Sequence, residues 1–279
     1  MPYRTLLVQL NDPEHTERLL APAILLARRC NAHLIGLHVS PGLMYVPPLP
    51  SAGGLVSMIE THERHITERI RETFERTTRG EAFVAEWRNL RPKGRDDLAG
   101  VVMQHVRAVD LVVAAPAAAS LDTTSLLDFP ERLAVESGRP VLMIPPGGIS
   151  GDLGRRVLIA WNGSREATRA TFDALPLLAA AEQVTLLGIA ELDPDGGLMP
   201  RPDAAIAATL ARHGAHVTIE NVHATETTVG AEIQARVHSL GADLLIMGAY
   251  GHSRLHEFVF GGATRHIVRH ATVPTLLSH

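Results

Sequence analysis

The sequence predicts an α/β protein built from two doubly wound parallel sheets in tandem, and three observations carry that expectation. Short aliphatic runs alternate with longer segments of helical period along all 279 residues. The strand-like runs are continuously apolar, as in Leu111-Val112-Val113, the pattern of strands covered by helices on both faces. The same unit also occurs twice. Placing Leu6-Leu7-Val8 over Leu158-Ile159-Ala160, an offset of 152, brings Glu14 onto Glu166, Leu25-Leu26-Ala27 onto Leu177-Leu178-Ala179 and Leu34-Ile35-Gly36-Leu37 onto Leu186-Leu187-Gly188-Ile189. Further along, Val109-Asp110-Leu111-Val112-Val113 falls on Ala242-Asp243-Leu244-Leu245-Ile246 at an offset of 133, and Arg139-Pro140-Val141-Leu142 on Val273-Pro274-Thr275-Leu276 at 134. The smaller offset predicts an insertion in the first copy, and the Pro- and Gly-rich stretch from Pro41 to Gly54 is its expected place. Domains are therefore expected over 1–146 and 152–279, joined by the short linker Pro145-Pro146-Gly147-Gly148-Ile149-Ser150-Gly151.

In the first copy, strands are expected near 4–9, 33–39, 82–88, 110–115 and 140–144. The helix near 57–78 carries Ile59, Ile66, Ile70 and Phe74 on one face, at spacings that suit packing against a sheet. The second copy reads as strands near 156–161, 184–190, 215–221, 243–248 and 273–277, with helices near 165–180, 201–213, 228–240 and 262–270. Right-handed crossovers make such a sheet doubly wound, and ligands bind beyond the carboxyl ends of its strands. Asp110 and Asp243 precede equivalent strands in both copies, which argues for a structural role common to the repeat.

Composition excludes several function classes. With 26 Lys and Arg against 30 Asp and Glu, the formal charge is −4, and no general affinity for nucleic acid or anionic lipid is expected. Lys93 is the only lysine, and its Arg-Pro-Lys-Gly-Arg context fits neither a Walker A loop nor a kinase lysine. Cys30 is alone, so no intrachain disulfide or thiolate cluster can form, and its helical surroundings suggest packing. No apolar run approaches the roughly 18 residues of a membrane span, and a cytoplasmic protein is expected. The 15 histidines include the pairs His62/His65, His252/His256 and His266/His270, but no pair supplies a full ligand set. His62-Glu63-Arg64-His65-Ile66 misses the zinc signature by one position, so no metal site is expected. No nucleophile elbow and no persuasive general acid or base is visible.

The strongest motif follows the strand Asp243-Leu244-Leu245-Ile246-Met247. There Gly248, Gly251, Gly261 and Gly262 lead through Ala263 and Thr264 into a helix, whose free N–H groups and positive dipole end suit an anion. Gly, two residues, Gly, nine residues and Gly resembles the universal stress protein family, with Val273-Pro274 at its typical closing strand, and the resemblance covers essentially the whole chain. It implies Rossmann-like domains similar to the adenine nucleotide alpha hydrolases, and a stress-response protein holding ATP, with or without Mg²⁺, in its second copy. It places Ala160, Asn162, Ile189, Gly248, Gly251, His252, Gly261, Gly262 and Ala263 around that nucleotide. Single-domain members pair through their last strands, so the two copies are expected to pair within this chain, and a homodimer stays open.

The second copy departs from the family pattern at two places: Gly262 stands where members carry Ser or Thr, and Asn162, near the end of its first strand, where nucleotide binders carry Asp. Asn162-Gly163-Ser164 also suits a helix N-cap. The first copy has Ala115-Pro116-Ala117-Ala118 and Leu127-Asp128-Phe129-Pro130 where the glycines would stand, so its site is expected to be lost. Two alternatives stand beside nucleotide binding: a nucleotide-free scaffold or chaperone-like protein, and a slow ATPase.

Overall fold

Residues 2–40, 52–91, 98–116, 129–149, 151–190, 202–223, 228–250 and 262–279 are described by the computed structural model, and the chain divides into the units Tyr3–Ala114 and Ala115–His279. The first unit runs β1 (Thr5–Gln9), α1 (Thr16–Cys30), β2 (His33–Val39), α2 (Ala52–Thr78), β3 (Ala85–Leu90), α3 (Leu98–Val106) and β4 (Leu111–Ala114). Its strands lie in the order β3-β2-β1-β4 and are all parallel. β1, β2 and β4 are buried almost throughout, as continuous apolar runs require.

The second unit runs α4 (Phe129–Ser137), β5 (Val141–Met143), β6 (Arg156–Ala160), α5 (Arg165–Asp173), α6 (Leu175–Leu178), β7 (Gln183–Ala190), α7 (Ala204–Arg212), β8 (Val217–His223), α8 (Val229–Ser239), β9 (Leu244–Gly248), α9 (Ala263–His270) and β10 (Thr275–Ser278). Strand order is β5-β10-β9-β6-β7-β8. All neighbours are parallel except β5, which runs antiparallel to β10 with Leu142 opposite Leu276. The compact units therefore part at Ala114, ahead of the repeat boundary at 146–152, because α4 and β5 pack on β10.

Three expectations are corrected. The helix near 165–180 is two helices hinged at Ala174, because Pro176 has no N–H to continue the ladder. The strand near 82–88 starts later, at Ala85, after a turn closed by the Glu81 N–H on the Thr78 carbonyl. The insertion lies in a helix: α2 has 27 residues and its counterpart α7 has 9, while similar stretches separate β2 from α2 and β7 from α7. Most of the expected place, Pro41 to Ser51, lies outside the described residues.

On α2, Ile70 and Phe74 are buried, whereas Ile59 and Ile66 are half-buried. Phe74 lies over Gly36 of β2, where a Cβ would sit 2.6 Å from its ring. Gly188 of β7, which lies opposite Asn221 as His38 lies opposite Asn89, is covered by Pro202 and the Asn221 side chain, 2.4 and 2.5 Å from such a Cβ. Each of these glycines permits a close approach, by a different neighbour and at a different register position of the strand.

Each aspartate just before β4 and β9 ties two strands at their amino ends. Asp110 accepts from the N–H groups of Arg4 at 2.7 Å and Thr5 at 2.9 Å, and returns its own N–H to the Thr5 carbonyl. Asp243 accepts from Gly154 at 2.9 Å, Arg155 at 3.1 Å and Arg156 at 3.2 Å, and returns its N–H to the Arg156 carbonyl. Charge-assisted bonds to backbone amides are among the stronger ones in a fold. Asp243→Ala is expected to lower unfolding stability by about 1–3 kcal/mol, and Asp243→Asn by less, in urea denaturation.

A buried polar network closes the other end of β2. His38 donates from Nδ1 to the Leu10 carbonyl at 2.7 Å, since a carbonyl can only accept, and its Nε2 lies 3.2 Å from the Thr67 hydroxyl, which donates to the Glu63 carbonyl at 2.9 Å. Its ring stacks on Trp87, and Ser40 joins Thr67 to Asn89. Burial holds the His38 imidazole below its ordinary value. The unfolded chain therefore takes up a proton there at a higher pH than the folded chain does. The stability held by neutral His38 is full above about pH 6.5 and is lost as pH falls through that value toward the lower folded pKa. His105 and His266 are shifted the same way by burial. His38→Gln is expected to flatten the fall in urea midpoint between about pH 7.5 and about pH 5.5, relative to the parent chain.

Candidate functional site

In the second unit the strand order reverses between β6 and β9, and there the carboxyl ends of two parallel strands diverge into α5 and toward α9. Ala160 of β6 lies in register with Met247 of β9 and with Leu187 of β7. Beyond Ala160 the Trp161 N–H still bonds the Leu187 carbonyl, and the chain then turns through Gly163 at φ 70°. Asn162 Oδ1 accepts from the Ser164 N–H at 3.1 Å, and Ser164 Oγ accepts from the Ala167 N–H at 3.1 Å, capping α5. The N-cap reading of this segment is thus realised, with the Asn162 side-chain oxygen engaged by the same turn.

Gly248 closes the other side. A Cβ there would lie 2.6 Å from the Ala167 nitrogen and 2.6 Å from the Glu166 carbonyl carbon, so the first turn of α5 sits directly on this residue. The need for glycine comes from this approach and not from a turn, because Gly248 has no left-handed φ. Past it, the Ala249 N–H bonds the Ser278 carbonyl at 2.8 Å, and the Tyr250 N–H bonds Thr264 Oγ1 of α9 at 3.2 Å. Helix α9 starts at Ala263 with Gly262 as N-cap, and among the described residues no side-chain cap closes it.

The structure brings Ala160, Asn162 and Gly248 to neighbouring strand ends, and the Tyr250–Thr264 bond ties the end of β9 to the helix that Gly262 and Ala263 open. Ile189 is half-buried near the end of β7, one strand further along. Gly251, His252 and Gly261 lie outside the described residues.

At the matching place in the first unit the chemistry is different. Asp12 Oδ1 accepts from the Glu14 N–H, and Asp12 Oδ2 lies 3.0 Å from His15 Nδ1. Asn11, just before it, is the register counterpart of Asn162, and the Asp12 carboxylate beside that position would repel phosphate. β4 runs out into Ala115 and Pro116, and Pro116 has no N–H to donate. Asp128 lies outside the described residues.

No group of three or more His, Cys, Asp or Glu among the described residues could hold a metal. His62 and His65 are exposed, while the His266 and His270 rings lie 4.6 Å apart and His270 Nδ1 donates to the His266 carbonyl. Cys30 is half-buried, and burial raises its thiol, the opposite of what a nucleophile needs. No helix among the described residues is long and apolar enough to cross a membrane.

The family model described as the universal stress protein family matches residues 154–279. This segment belongs to the universal stress protein family. A universal stress protein from Archaeoglobus fulgidus DSM 4304 matches along nearly the full length, covering 98% of this chain and 95% of its own, with TM-score 0.72 and 15% identity. A functionally unknown protein from Pseudomonas aeruginosa PAO1 covers 99% of this chain and 92% of its own, with TM-score 0.55 and 13% identity. A universal stress protein solved in complex with cAMP covers 52% of this chain and 98% of its own, with TM-score 0.36 and 22% identity. No curated protein matches the chain.

In this universal stress protein domain the contact at Gly248 sets the width of the cleft between β9 and α5. Gly248→Ala is expected to force that helix outward and destabilise the chain by about 1–3 kcal/mol, read as a lower urea midpoint. An unchanged midpoint would mean that the two elements are not in contact there.

Proposed function

We propose that this chain is a stress-response protein that binds an adenine nucleotide, ATP in the first instance, through its second copy alone. The observation that carries this reading is the meeting of β6 and β9 at the switch point, with a helix beside them that opens on Gly262. Gly262 presents backbone to a phosphate where a hydroxyl is absent, and Asn162 offers its Nδ2 to a ribose or a base edge. Gly248 and Ala160 keep the strand ends free of bulk. Gly251, His252, Gly261, Ala263 and Ile189 complete the residue set, the glycines supplying amides without a lysine. Mg²⁺, where present, would ride on the phosphates, since the described residues offer no cluster of carboxylates to hold it.

The first copy serves as the partner of the second, which its Asp12 and Pro116 suit better than a phosphate site of its own. The neutral Asn162, with its carbonyl already spent on Ser164, predicts weaker ribose recognition than a carboxylate would give.

Denaturing the freshly purified protein and separating what it releases by HPLC, followed by calorimetric titration of ATP into the emptied chain, tests the proposal. One adenine nucleotide per chain at most is expected, with binding abolished in Gly251→Val, because a branched side chain blocks close approach of backbone to phosphate. Asp128→Gly is expected to create no second site. Release of nothing, and no heat at millimolar ATP, would overturn the reading in favour of a nucleotide-free scaffold.

A further inference from the structure

Tyr250 sits at φ 56°, and the other described non-glycine residue with positive φ is Asn31 at the end of α1. Asn tolerates that region and ends helices in it, whereas for a bulky aromatic residue it is a true outlier that the surroundings must hold in place. Three contacts do so. The Tyr250 N–H bonds Thr264 Oγ1 at 3.2 Å, the preceding Ala249 is fixed on both sides by the Ser278 carbonyl and His279 Nδ1, and the Tyr250 hydroxyl donates to Glu131 Oε1 at 2.5 Å. Tyr250 is 8% exposed and Glu131 is 2% exposed, so this last bond is made out of water, where it is strongest and most costly to lose.

The position of the pair gives it a use. Tyr250 is the second residue beyond β9, where the chain leaves the strand that carries Gly248. Glu131 lies in the first turn of α4, a helix of the first sequence repeat that packs in the second unit. The bond therefore joins the exit of the site strand to a helix that contributes no residue to the nucleotide set.

We infer that Tyr250 and Glu131 are a positioning pair that couples the backbone at the end of β9 to α4. With the bond made, Tyr250 stays left-handed and the chain leaves β9 in one direction. With it broken, the strain relaxes toward negative φ and α4 loses a buried anchor. A ligand that fits only one of these arrangements shifts both ends together, and α4 reports on the site in equal measure. The ligand half of this inference rests on the nucleotide reading above; the conformational half does not.

Amide hydrogen exchange on the full chain, without nucleotide, separates the two. Tyr250→Phe is expected to speed exchange at the Glu131, Arg132 and Leu133 amides. Glu131→Leu is expected to speed exchange at Ala249 and Tyr250, while Glu131→Gln, which keeps an acceptor, stays near the parent chain at both ends. ATP titration of the same proteins is expected to show Tyr250→Phe and Glu131→Leu each weakening binding by about fivefold or more, with the double variant no weaker than either single one. Effects confined to the neighbourhood of each substitution, or additive losses in the double variant, would overturn the coupling. If the parent chain binds no ATP, the functional reading falls, and the exchange at the opposite ends still decides whether the pair transmits.

Discussion

The seating of α5 against Gly248 is the contact on which the second unit's cleft depends. A backbone nitrogen and a carbonyl carbon come so close to this residue that no side chain fits between them. With the helix start held there, Ser164 can cap it, Gly163 can turn, and Asn162 is held beside the strand end by its side-chain oxygen. Local hydrogen bonding in this turn is thus a consequence of packing between elements far apart in sequence. The same logic orders the amino ends of the strands, where Asp243 gathers three successive amides from the chain entering β6 and fixes the spacing of β6 and β9 from the opposite edge.

Most of the architecture was legible in the sequence, because a parallel strand buried on both faces must be continuously apolar and the repeat supplied a second reading of each strand. Asp110 and Asp243 were recognisable as structural for the same reason, since a ligand site would not need to survive in both copies. Errors arose where backbone hydrogen bonding overrode the hydrophobic pattern. Pro176 splits a helix whose apolar spacing continues through it, and the extra length of the first copy went into the polar, solvent-facing turns of α2, which carry no sign of insertion. At the site, Gly248 was legible as part of the loop motif, while the close approach of α5 that requires glycine there was not. The left-handed Tyr250 and its partner Glu131 left no signal, because neither residue type announces that conformation or that pairing.

The two copies show how one scaffold diverges without losing its sheet. Strand register places Gly188 at the counterpart of His38, so a proline and an amide cover in one copy the place that an imidazole fills in the other. The first copy fills the carboxyl end of its strands with a network around His38, in which Nδ1 and the Thr67 and Ser40 hydroxyls all have protein partners. Polar groups satisfied in this way have little left to offer a ligand, whereas the second copy opens a helix on Gly262 beside its strand ends.

The pairing of β5 with β10 also constrains the order in which the molecule can be completed. β5 ends at Met143 and its antiparallel neighbour begins at Thr275, so a ribosome adding residues one by one delivers the first strand roughly 7 to 26 s before the second. During that interval the nascent chain carries a short apolar strand without its β10 partner, the kind of edge to which other chains add. β5 is only three residues long, which limits that exposure, and the sheet of the second unit is sealed only when the last strand is released from the exit tunnel.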